Sequence, residues 1–202
     1  MDWAELADEE TLQRTAKALG ERGIEVIITN NREEAKKKIM ELMPEGAEVM
    51  EASSTTLGEM SISKEMQEGG RHVSIRKKIT SISNEEERHA ARRASVSPEY
   101  VIGSVHAVTE EGQVVIASNT GSQLAPYAYG ASNVIWVVGT QKIVKNLEDA
   151  FKRIKEYVFP LEDARMRKAY GVGSNISKML IFEKEVAPKR IKLVFVKEKL
   201  GF

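Results

Sequence analysis

The chain has 202 residues, 30 Lys+Arg set against 30 Asp+Glu, and no cysteine. That length suits one sizeable core, the balanced charge gives no reason to expect nucleic acid as a partner, and the missing thiols remove disulfides, thiol nucleophiles and thiolate-held zinc or iron–sulfur sites. Met1 to Glu5 lacks an apolar leader core and no apolar run reaches the ~18 residues of a spanning helix, so the expectation is a single cytoplasmic domain over residues 1–202 with no membrane span.

Leu6, Leu12, Ala16 and Leu19 recur at helical spacing and predict a first amphipathic helix that stops near Gly20 and Gly23. Ile24 to Ile28 reads as a strand, and Asn30 or Asn31 then caps a helix carrying Ala35, Ile39, Leu42 and Met43 to Pro44. Ala47 to Met50 is a further strand, followed by the loop Ser53-Ser54-Thr55-Thr56 and a helical segment from Leu57 to Met66. The stretch Gly69 to Ser83 has few apolar anchors and reads as loop and edge structure. Asn84 with Glu85, Glu86 and Glu87 predicts a helix to about Ala94, with Arg92 and Arg93 at its carboxyl end. Tyr100 to Val108 and Gln113 to Ala117 read as two strands of a hairpin turning at Glu110-Glu111-Gly112.

Thr120-Gly121-Ser122 opens a short helical stretch to Tyr129. Val134 to Val138, apolar at every position, suits a central parallel strand buried on both faces. Asn146 caps a helix through Val158, which Pro160 should separate from the charged stretch to Tyr170. Met179 to Val186 and Ile191 to Val196 are the last two strands. Strands alternating with helices imply an α/β fold, a mostly parallel layered sheet with helices on both faces plus a hairpin.

Ligands of such sheets collect at the carboxyl ends of strands. Three polar loops meet that condition: Ser53 to Thr56; Asn119, Thr120, Gly121, Ser122 and Gln123; and the segment ending at Lys142. Ser, Thr and Asn at these points also suit plain helix capping, but three such loops in one small sheet favour a shared pocket. Glu110 is the candidate general base or nucleophile, although a solvated turn explains it too. His106 stands in an apolar strand, where a histidine usually serves the core. The three histidines show no ligand spacing, so no metal site and no cofactor are expected.

Ala107-Val108-Thr109-Glu110-Glu111-Gly112, Ala117-Ser118-Asn119-Thr120-Gly121-Ser122-Gln123-Leu124 and Gly130 through Val144, with Ser53 to Glu59 upstream, resemble the lactate-utilisation (LUD) domain family, in its cluster-free protein C type. The resemblance implies a fold similar to the sugar-phosphate isomerase and CoA-transferase-like superfamily. It also implies a component of L-lactate utilisation that works with iron–sulfur lactate-oxidation subunits and binds a small organic acid or phosphorylated ligand, with an oligomer possible. Family members that carry a cluster have cysteines after the long helix, where this chain reads Ala164-Arg165-Met166-Arg167-Lys168-Ala169-Tyr170-Gly171. The alternative is a stand-alone enzyme of the isomerase or transferase-like fold using Glu110.

Overall fold

A computed structural model describes residues 2–202. Six parallel strands form the main sheet in the order β1 (Glu25–Thr29), β10 (Ile191–Val196), β7 (Asn133–Gly139), β4 (Tyr100–Gly103), β2 (Glu48–Glu51) and β3 (Val73–Ser74). A second sheet, β8 (Ile143–Val144), β5 (Ala107–Thr109), β6 (Val114–Ser118) and β9 (Lys178–Phe182), is antiparallel except where β5 meets β8.

Strand β7 shows why a run apolar at every position is needed at the centre. Its side chains alternate between faces. Ile135 and Val137 enter one core with Ala35 and Ile39 of α2 (Arg32–Leu42), Met43 just after it, Leu57 of α3 (Thr55–Glu59) and Ile62 and Met66 of α4 (Ile62–Glu68). Val134, Trp136 and Val138 enter the other core, with Leu12 and Leu19 of α1 (Glu9–Glu21) and with Val108, Val114, Ile116 and Phe182 of the second sheet. Trp136 meets Tyr127 and Phe182 edge to face, at centroid distances of 5.6 and 5.5 Å. The second sheet therefore covers much of a face that helices cover in a simple layered fold. Its own outer side packs on Ala150 and Ile154 of the long carboxyl-terminal helix.

Asn31, Asn84 and Asn146 each cap a helix through their side-chain oxygens, as their positions predict. Four expectations are corrected. Gly69 to Ser83 holds the short strand β3 and a helix, α5 (Ile75–Thr80), capped by Ser74 and followed by α6 (Glu85–Ala94). The segment read as one strand from Tyr100 to Val108 is two: β4 ends at Gly103, and the chain crosses to the second sheet through Ser104, Val105 and His106. The helix capped by Asn146 does not end at Pro160. It runs from α7 (Leu147–Arg153) through a π-helical turn, Ile154–Val158, into α8 (Phe159–Tyr170). The wider turn sits just ahead of the proline, where a missing N–H and a ring clash would otherwise break the ladder. The strand read as Met179 to Val186 runs instead from Lys178 to Phe182.

Gly103 ends β4 where no side chain fits, since a Cβ there would overlap the Tyr127 hydroxyl and lie 3.0 Å from Ala52 Cβ. Gly103→Ala is expected to cost about 1–3 kcal/mol by overpacking, read as a lower urea midpoint. An unchanged midpoint would mean that Tyr127 yields freely. Among the described residues no helix is long and apolar enough to cross a membrane.

Candidate functional site

The crossing between the two sheets creates the site. β7 leaves the main sheet at Gly139 and tightens into a single 3₁₀ turn, Thr140–Lys142, before entering the second sheet as β8. β4 makes the same passage through Ser104 to His106. Two crossings side by side leave a gap between the sheets. A cavity of about 1030 Å³ opens there.

Lys142 lies on its wall and is only 2% exposed. Its Nζ donates to Thr56 Oγ1 at 3.0 Å, Ser104 Oγ at 3.1 Å and the Val105 carbonyl at 3.2 Å. Each hydroxyl is free to accept because it spends its own proton elsewhere: Thr56 donates to the Leu200 carbonyl and Ser104 to that of Val137. Burial, reinforced by the charge of Arg153, pushes Lys142 down to about 7, while Glu59 works in the opposite sense.

Arg153 is 0% exposed. Its Nη1 donates to the His106 carbonyl and its guanidinium lies 5.4 Å from the Tyr157 ring, yet Nε and Nη2 have no partner. Burial lowers it to about 10. Neither Lys142 nor Arg153 has an ion pair with a carboxylate among the described residues. Two buried cations without an anion are costly, because desolvation is not offset by a partner charge.

His106 lines the same cavity. Its Nδ1 accepts the Ala117 amide at 3.1 Å, which assigns the ring proton to Nε2. Burial, then the charges of Lys142 and Arg153, push His106 down to about 3, so the ring is neutral at physiological pH. It is a hydrogen-bond donor that carries no charge.

Of the residues singled out by sequence, Ser53, Ser54, Thr55, Thr56, Asn119, Thr120, Ser122, Gln123 and Lys142 line this one cavity. Several also do the ordinary work of caps and turns. Ser54 caps α3 through the Leu57 amide, and Thr120 and Ser122 bond each other. Gly121 itself does not line the cavity. Its φ of 87° lets the loop turn so that its amide donates to Ser118 Oγ.

Glu110 lies away from this cavity. Its carboxylate accepts from Arg14 Nη2 at 2.7 Å and Nε at 3.2 Å, and its amide donates to Val144 O. His106 enters β5 and Glu110 leaves it, so strand length alone separates them by about 10 Å. Only the His106 end faces the cavity. Among the described residues no group of three or more His, Asp and Glu is arranged to hold a metal ion.

Sequence reasoning passed over Ser104 and Arg153 and undervalued His106. Ser104 falls inside the segment read as one strand and Arg153 inside the helix capped by Asn146, so neither carries a local signal. The clue was present in His106 itself, a histidine between β-branched runs three positions after a glycine.

A family model described as the LUD domain matches residues 12–196. Among solved structures, a DUF162 family protein from Deinococcus radiodurans is similar at 14% identity and a TM-score of 0.57, with 95% of this chain and 99% of that chain covered. That likeness establishes the fold. eIF2B beta from Chaetomium thermophilum matches over 59% of this chain and 40% of its own, at 18% identity and a TM-score of 0.36. No curated protein matches this sequence.

Proposed function

The chain belongs to the LUD domain family, and from that premise we propose that it is a component of organic-acid utilisation, L-lactate foremost, which binds a small carboxylate in the cavity beside Lys142. The observation that carries this reading is the pair of buried cations, Lys142 and Arg153, that no carboxylate of the chain neutralises. An anion entering the cavity supplies the missing charge in a low-dielectric setting, where it counts for more than in water. His106 Nε2 and the hydroxyl and amide groups of Ser53 to Thr56 and Asn119 to Gln123 are the donors available to orient it. The chain has no cysteine to ligate an iron–sulfur cluster of its own, and iron–sulfur lactate-oxidation proteins are the partners this reading assigns.

Titration calorimetry with L-lactate, pyruvate, acetate and inorganic phosphate tests it. Binding is expected to take up a fraction of a proton near pH 7, because an anion beside Lys142 raises its pKa. Affinity should fall as pH rises through about 7 and drop at least ~10-fold in Lys142→Met, since losing a buried charge partner costs 2–5 kcal/mol. No heat and no stabilisation with any of these anions would end the proposal. Glu110→Gln, which only breaks a partly exposed pair with Arg14, is expected to leave anion affinity unchanged and to alter stability by ~1 kcal/mol or less.

A further inference from the structure

We propose that Lys142 forms an imine with the carbonyl carbon of a 2-oxo acid held in this cavity, with His106 Nε2–H directed at the carbonyl oxygen. The proposal rests on the anion-binding reading above and adds a covalent step to it.

The geometry carries the inference. Lys142 is the only lysine among the buried residues described, and its amine is fixed on the cavity wall rather than swinging in solvent. No carboxylate pairs with it to lock it as an ammonium ion. The neighbouring hydrogen bonds can follow the loss of its proton. Thr56 donates to the Leu200 carbonyl at 3.2 Å, and that carbonyl also accepts from Gln141 Nε2 at 2.9 Å. Thr56 can therefore turn its O–H toward a neutral Nζ and leave Leu200 O satisfied. Lys142 and His106 both line this cavity, and Nζ bonds the carbonyl of Val105, the residue before His106. A neutral imidazole gives a hydrogen bond to a developing oxyanion without adding a third buried positive charge.

The step balances with no oxidant or reductant. The Nζ lone pair attacks the carbonyl carbon, a C–N bond forms, and the oxygen takes a proton to become the hydroxyl of a carbinolamine. That hydroxyl leaves as water with a second proton, and the two protons taken up are those the amine gives up. Primary amine and ketone become imine and water. In its protonated form the imine returns a positive charge to the place Lys142 occupied, next to the carboxylate of the bound acid.

The charged groups acting on Lys142 are Arg153 from α7 and Glu59 from α3, while the His106 ring on the same cavity wall is uncharged. Arg153 and burial keep a neutral fraction of the amine near pH 7, where an exposed lysine has almost none.

The test is reductive trapping. The full chain is incubated with pyruvate and cyanoborohydride, and adducts are located by intact mass and peptide mapping. One reduced adduct per chain at Lys142 is expected. At pyruvate well below saturation its rate should be half-maximal near pH 7, it should be absent with L-lactate, which has no carbonyl, and it should be lost in Lys142→Arg. The readout is taken on the wild-type chain, whose exposed lysines are internal controls, so it does not depend on a variant folding. Adducts scattered equally over surface lysines, or none at Lys142 while pyruvate still raises the melting temperature, would overturn the imine and leave anion binding standing. If neither pyruvate nor lactate stabilises the chain, both proposals fall.

Discussion

Lys142→Met is expected to be more stable than the wild type at pH 6 by about 2–4 kcal/mol, a margin that shrinks as pH rises and vanishes or reverses near pH 10. The sign follows from where each state holds its proton. Folded, Lys142 titrates near 7, against 10.5 when unconstrained. Between those values the unfolded chain binds a proton that the folded chain has released, so wild-type stability rises with pH across that window. Below pH 7 the full cost of burying the ammonium is present, and the three oxygens around Nζ return only part of it. Methionine removes the charge at similar length and orphans no donor, because the hydroxyls of Thr56 and Ser104 keep their own acceptors. Only well above 10.5 is the wild-type amine neutral in both states, and methionine then lacks its hydrogen bonds, worth about 1 kcal/mol. Paired urea denaturations across pH 6–10 measure the difference directly and cancel every other titrating group. A difference that stays flat would mean that Lys142 keeps its proton throughout. Together with the loss of anion affinity, the result would identify a lysine retained at the expense of stability, as sites that act on ligands often are.

The second large effect lies behind the turn that places Tyr127 on the cavity wall. Arg190→Met is expected to destabilise the chain by about 3–5 kcal/mol, the usual cost of leaving one member of a buried ion pair alone. The Arg190 and Glu185 side chains are 10% and 7% exposed and meet at 2.6 Å. The same guanidinium also donates to the carbonyls of Pro126, Tyr127 and Ala131, which bound the π-helical turn Pro126–Gly130. That turn holds Tyr127 against Trp136 and Gly103. Loss of Arg190 should loosen Tyr127 at the cavity and weaken anion binding along with the fold. Adding Glu185→Leu should recover a large part of the loss, because the stranded carboxylate is then gone. A double variant no more stable than Arg190→Met would show that the carbonyl contacts, not the ion pair, are what matter. Thermal or urea unfolding of the three variants decides between these outcomes.

Much of the scaffold can be read from the sequence because its signals are local. Asn31, Asn84 and Asn146 announce their helices by capping chemistry, and the uninterrupted apolar run of β7 announces a strand buried on both sides. The polar loops at Ser53 to Thr56 and Asn119 to Gln123 can be singled out because strands ending in hydroxyl-rich turns have a known use in parallel sheets. The family resemblance rests on the same stretches, and the match over residues 12–196 agrees with it.

What local pattern cannot carry is partnership between distant segments. From Tyr100 to Val108 the residues are uniformly strand-like, and nothing in them says that the chain changes sheets at Ser104; that depends on which strands are already in place around it. The same crossing turns His106 toward the cavity and sends Glu110, attractive by composition, to the other end of β5 and into the grip of Arg14. Lys142 and Arg153 are each unremarkable in sequence, since a lysine or arginine is normally solvated. Only the tertiary structure buries both and withholds a counterion. Capping and periodicity determine most of the helices and strands of this protein, and its motifs carry the family resemblance; the unpaired positive charge that makes its cavity a candidate site arises from long-range packing, which no local stretch of sequence encodes.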